Sequence, residues 1–120
     1  MTMNIIDKII FVNIKNSYEA MLNNDRNNPL FRESRYDCTR KYWPIKTDKA
    51  EAATHILGCY HGIVIEVIRI QGYHVEPDGE YAGRKVFEGI EQRDSQYMGL
   101  DLHEIFDTLV NFRVKYYNIA

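Results

Sequence analysis

The chain has 120 residues, of which 45% are hydrophobic and 27% charged. That length suits one domain spanning residues 1–120 with its own core, and the composition excludes wholesale disorder, collagen and coiled coil. A net charge of −2 excludes a general, charge-driven grip on DNA or RNA, which needs a basic surface throughout.

Residues 8–14 are almost continuously apolar and β-branched, which predicts a strand buried on both faces. Ser17 is placed to cap a short helix running to Leu22. The Asn-rich stretch 23–29, closed by Pro29, predicts a mobile loop. Residues 30–40 read as a helix that stops before Tyr42-Trp43-Pro44, since proline disfavours helix at the residue before it. Asp48 is a plausible cap for a helix over 49–53. Residues 54–60 and 63–71 read as strands joined by a tight turn at His61-Gly62, with Gly62 supplying the positive φ. A loop follows over 72–83, then a strand over 85–90 and a short helix over 102–106. Residues 112–118 alternate with the period of a last strand. Five strands and two or three short helices give an α+β class, and sequential hairpins predict a curled, mostly antiparallel sheet or small barrel.

Met1-Thr2-Met3-Asn4 lacks the basic start of a signal peptide, and the longest apolar run, Ile9-Ile10-Phe11-Val12, is far short of a spanning helix. Cys38 and Cys59 stand alone, which fits buried thiols in a reduced, cytoplasmic protein better than a disulfide framework. No phosphate-loop or dinucleotide glycine motif is present. His55, His61, His74 and His103 are scattered without metal-ligand spacing, so neither a metal nor a cofactor is expected, and no nucleophile–base pair is marked. Charge is uneven: residues 25–49 carry a net +3 and residues 76–107 a net −6. Aromatics are abundant, with nine Tyr, five Phe and one Trp, and Tyr36, Tyr42 and Trp43 lie among Arg35, Arg40 and Lys41. Rings interleaved with cations suit base stacking and phosphate contact, although Trp and Tyr also anchor the cores of small domains.

Several short motifs recur in order. They are Phe11-Val12-Asn13-Ile14 followed by Ser17-Tyr18; Tyr36-x-x-Thr39-Arg40-x-x-Trp43-x-Ile45; Lys49-Ala50-Glu51-Ala52-Ala53; Cys59-Tyr60-His61-Gly62-Ile63-Val64; Phe87-Glu88-Gly89; and Val114 to Asn118. Together they resemble a family of small bacterial and phage PUA-like domains. The insertion at 23–29 and residues 94–111 depart from the pattern. The resemblance implies a curled β-barrel flanked by short helices. It also implies an aromatic cleft for RNA, a modified base or a nucleotide, as in the similar EVE, YTH and ASCH groups. The residues carried over are Asn13, Ser17, Tyr18, Thr39, Arg40 and Trp43. On this reading a base stacks on Trp43, Asn13 or Thr39 reads its edge, and Arg40 meets a phosphate, in a non-catalytic module that needs no cofactor. The alternative is a protein-interaction or inhibitor module, phage-encoded for example, working through the acidic 76–107 region. A third reading is a small hydrolase on an ASCH-like scaffold, with no catalytic group marked. Fold alone does not choose among them.

Overall fold

Strand β1, Ile9–Asn13, lies inside the sheet, and Ile9 to Val12 are buried. The computed structural model describes residues 4–107, 109 and 112–119. Side chains alternate across a strand, so β1 feeds two cores at once. Ile9 and Phe11 pack with Leu57, Cys59, Val67, Tyr97 and Leu102 on one face. Ile10 and Val12 pack with Ile14, Ile56, Ile68, Trp43 and Phe87 on the other. This accounts for the unbroken apolar run.

The other strands are β2 (His55–Tyr60), β3 (Ile63–Val75), β4 (Lys85–Glu91) and β5 (Val114–Tyr117), in the order β4-β3-β2-β1-β5. Among the described residues only the β1–β2 pair is parallel; the other three pairings are antiparallel. Three short helices fill the β1–β2 crossover: α1 (Lys15–Leu22), α2 (Arg35–Arg40) and α3 (Thr47–Ala52). They cover the second face through Cys38 and Ala50, joined by Ile45 from the segment between α2 and α3. The opposite face is covered by Ile5, Tyr97, Leu100 and Leu102. The class is therefore α+β, with a five-stranded mixed sheet. The expected barrel does not form: β4 and β5 are edges that do not pair, because both faces are buried under other layers and the sheet has no need to close on itself. Among the described residues, no helix is long and apolar enough to cross a membrane.

Several element boundaries differ from the sequence reading, each for a local reason. The helix expected over 30–40 starts only at Arg35, because Ser34 accepts from the Asp37 N–H at 3.1 Å and caps it there. Ser17 does not cap α1; it sits inside the first turn, with Oγ donating to the Ile14 carbonyl at 3.2 Å. The Asn13 carboxamide oxygen instead accepts from the Lys15 N–H at 3.1 Å. Asp48 lies within the first turn of α3 and not at its cap. Strand β3 runs on to Val75, four residues beyond expectation, since the ladder with β4 continues through an irregularity between Ile70 and Gly72. The two-residue turn at His61-Gly62 forms as expected, but both residues have positive φ, +51° and +79°. The helix expected over 102–106 is a 3-10 turn at Leu102–Glu104. Strand β5 is shorter than 112–118 because Phe112 and Arg113 turn toward Asn13. The Phe112 carbonyl accepts from the Asn13 amide at 3.2 Å, and the Arg113 carbonyl accepts from the Asn13 backbone N–H at 3.0 Å. Cys38 and Cys59 are buried, unpaired thiols, one in each core.

Candidate functional site

A cavity of about 340 Å³ opens where the end of β1, the start of α1, the segment 30–32, the segment 41–43 and the β3–β4 turn converge. Main-chain bonds fix most of these pieces. Trp43 and Lys85 exchange backbone bonds of 3.1 and 2.9 Å, which attach residues 41–43 to the start of β4. The β3–β4 turn is tied by Gly83 N–H to the Glu76 carbonyl at 2.9 Å and by Arg84 N–H to the Tyr81 carbonyl at 3.0 Å. Asn13 is held between Phe112 and Lys15 as described above.

These attachments bring Tyr42 against Tyr81, with ring centroids 4.3 Å apart and planes within 9° of parallel. Cations surround the pair. The Arg32 guanidinium lies 5.1 Å from the Tyr42 centroid and 5.9 Å from that of Tyr81. Lys41 lies 5.4 Å over Tyr42, and Arg84 lies 5.3 Å over Tyr81. Lys15 and Arg113 complete a set of five basic residues lining the cavity, and among the described residues no acidic one lines it. Among the described residues, none of the five forms an ion pair with a carboxylate. Arg32 Nε is buried without a hydrogen-bond partner, while its Nη1 donates to the Pro29 and Phe31 carbonyls at 3.1 and 2.9 Å. Five like charges around one small space repel one another, and an anion placed there relieves that repulsion.

The residues singled out from the sequence divide into two groups. Asn13, Ser17 and Trp43 line the cavity. Trp43, however, is only 7% exposed and belongs to the core, and its indole N–H donates to the Thr39 carbonyl at 2.7 Å. The ring surface on offer is the Tyr42–Tyr81 pair, so the expectation of a base stacked face-on against Trp43 does not fit its burial. Thr39, Arg40 and Tyr18 lie elsewhere. Thr39 is fully buried over Gly58, where an added Cβ would strike its hydroxyl, and that hydroxyl has no partner. Asn13 and Thr39 therefore do not share a cleft. Arg40 donates to Asp37 at 2.7 Å and lies over Tyr36, its charge already answered. Tyr18 packs edge-on against Tyr60, whose hydroxyl donates to Glu19 at 2.8 Å. Hydrogen bonding to the Glu19 carboxylate raises the Tyr60 pKa above its ordinary value.

Sequence reasoning missed Tyr81, Arg84, Lys15 and Arg113, which come from three separate stretches of chain. Arg32 fell within the basic region but was not singled out, and Lys41 was named beside the aromatic cluster without being assigned to the site. The one usable signal was the Tyr81-x-x-Arg84 spacing beside the Gly79 and Gly83 turn residues.

Among the described residues, no group of His, Cys, Asp and Glu is arranged to hold a metal ion. Comparison with known protein families, with curated proteins and with solved structures finds no match.

Proposed function

We propose that the cavity binds a nucleotide, free or as one unit of a single-stranded nucleic acid. The observation that carries this is the joining of five cations, none ion-paired with a carboxylate among the described residues, and a parallel tyrosine pair around one space of about 340 Å³. That volume is at the lower end of the range of about 300–1,000 Å³ typical of small-ligand sites, which suits one nucleotide unit. The cations meet phosphate oxygens, with arginine able to hold two at once. The half-buried Tyr42–Tyr81 pair meets the base, a contact worth about 1–3 kcal/mol where a ring face is freed of its cation. Asn13 keeps one amide hydrogen and one lone pair uncommitted for a base edge or sugar hydroxyl. A concentrated basic pocket on a chain of net charge −2 favours a local grip over general coating of nucleic acid.

The PUA-like resemblance supports the same reading, and with it we propose a PUA-like origin for the open sheet. A cytoplasmic setting is part of the proposal, on the strength of two buried thiols in separate cores. The test is a titration of labelled single-stranded RNA, single-stranded DNA and free nucleotides at two salt concentrations. Binding that weakens with salt, with free nucleotide competing, is expected. Failure to bind any of them at low salt refutes the proposal and favours a protein partner for the acidic 76–107 region.

A further inference from the structure

A second cavity of about 230 Å³ adjoins the first and shares Asn13, Lys15 and Phe112 with it. Its other walls bring together His61 and His103, which are far apart in sequence. Both residues are positioned by main-chain structure. His61 occupies the tight turn between β2 and β3 at a φ of +51°, a conformation uncommon outside glycine, with its ring 4.2 Å from that of Tyr60. His103 stands on the 3-10 turn, which is tied to the same β-turn by Leu102 N–H to the Gly62 carbonyl at 2.8 Å and by the bridge between Ile63 and Asp101. The absence of a side chain at Gly62 lets the His103 ring come close: a Cβ there would lie 3.3 Å from His103 Cε1.

Asp101 sets the chemistry of His103. Its carboxylate accepts from the His103 backbone N–H at 3.0 Å and meets His103 Nδ1 at 2.9 Å. These same contacts hold the Asp101 carboxyl below its ordinary pKa, so it is ionised at neutral pH. An ionised carboxylate can only accept, so Nδ1 carries the proton and Nε2 is left as the basic nitrogen. A second imidazole, a lysine and an adjoining phosphate-binding cavity complete the set needed to move protons across a phosphodiester.

We propose that the protein cleaves single-stranded RNA at this second cavity, an activity that rests on the nucleotide-binding reading and goes beyond it. The nucleotide held in the first cavity places the following phosphodiester beside Lys15. His103 Nε2 takes the proton of the 2′-hydroxyl, whose oxygen attacks phosphorus. The bond from phosphorus to the 5′-oxygen breaks, and that oxygen takes a proton from the protonated His61. Lys15 neutralises the charge gathering on the non-bridging oxygens. The products are a 2′,3′-cyclic phosphate and a free 5′-hydroxyl, with no redox partner or co-reactant consumed.

The experiment incubates the protein with a labelled RNA 12-mer in EDTA, beside DNA and 2′-O-methyl RNA of the same sequence. The expected result is cleavage of RNA alone, with cyclic phosphate ends identified by mass. His103→Ala and His61→Ala should each slow cleavage by about 100-fold or more. Asp101→Asn should lower kcat by about tenfold or more while KM stays within about twofold, a split that a purely structural role would not give. Circular dichroism of each variant shows whether it is folded. If the methylated strand binds but RNA stays intact, or if cleavage is the same in folded histidine variants, the cleavage proposal is overturned and the binding reading stands. If no strand binds, both fall.

Discussion

Replacing Trp43 separates a core role from a ligand-stacking one. The ring is buried against Ile45, Phe87 and Cys38, and its N–H reaches the Thr39 carbonyl in the last turn of α2, where helix carbonyls lack intrahelical partners. Truncating a buried aromatic to alanine costs about 3–5 kcal/mol, from lost transfer energy and the void left behind. The hydrogen bond adds about 0.5–1.5 kcal/mol, and Thr39 is left with an unpaired carbonyl. Against a total stability of about 5–15 kcal/mol for a domain, Trp43→Ala should leave a barely folded protein. Trp43→Phe keeps most of the ring and loses the bond, so about 1–2 kcal/mol is expected. Urea unfolding followed by far-ultraviolet circular dichroism measures both. A Trp43→Ala midpoint corresponding to a loss of less than about 1 kcal/mol would refute the assignment of this ring to the core. Tyr42→Ala, at a half-buried site, provides the contrast: it should weaken nucleotide binding while costing much less stability.

Arg84→Ala should weaken binding to single-stranded RNA and flatten its salt dependence by about 0.7 in the log–log slope, the share of one phosphate contact, whereas Arg40→Ala should change neither. Equal slopes for both variants would remove Arg84 from the site. Glu66 is 1% exposed, with one carboxylate oxygen unpartnered. Burial, followed by the nearby Glu91 charge, raises its folded pKa; the Val67 N–H and Arg35 oppose this only in part. An acid whose folded pKa lies above its unfolded value costs nothing below the unfolded value; the cost grows as pH rises from the unfolded value and is complete above the folded one. Glu66→Gln should therefore match the native chain in urea at pH 4 and exceed it increasingly toward pH 8. Parallel curves would show that Glu66 is not held against ionisation.

What was legible in the sequence was local. The unbroken run at Ile9–Val12 reported burial on two faces, and His61-Gly62 reported a two-residue turn, because each signal lies within a few adjacent residues. The start of α2 was misread: the apolar Leu30 and Phe31 drew the helix back, whereas Ser34 accepts from the Asp37 N–H and starts it at Arg35. The cavity was not legible, because Arg84 and Arg113 reach it only after β3, β4 and β5 are in place. Arg40 was a poor choice for a physical reason visible in advance: Asp37 lies three residues earlier on the same helix and takes up its charge. Trp43 was taken for a ligand platform because a sequence does not show which large ring the core will claim.

The pairing of β1 with both β2 and β5 has a consequence for how the chain is made. Ile9–Asn13 is synthesised before both of its neighbours, so one of its edges waits for β2 and the other for β5. Through that interval its most apolar strand carries unpaired backbone groups, a template for joining other chains. Long-range closure of this kind is slow, and this sheet is complete only after β5 has left the ribosome. A chain truncated before Val114 would keep one edge of β1 open permanently, and it would be recovered as aggregate sooner than as a weakened monomer.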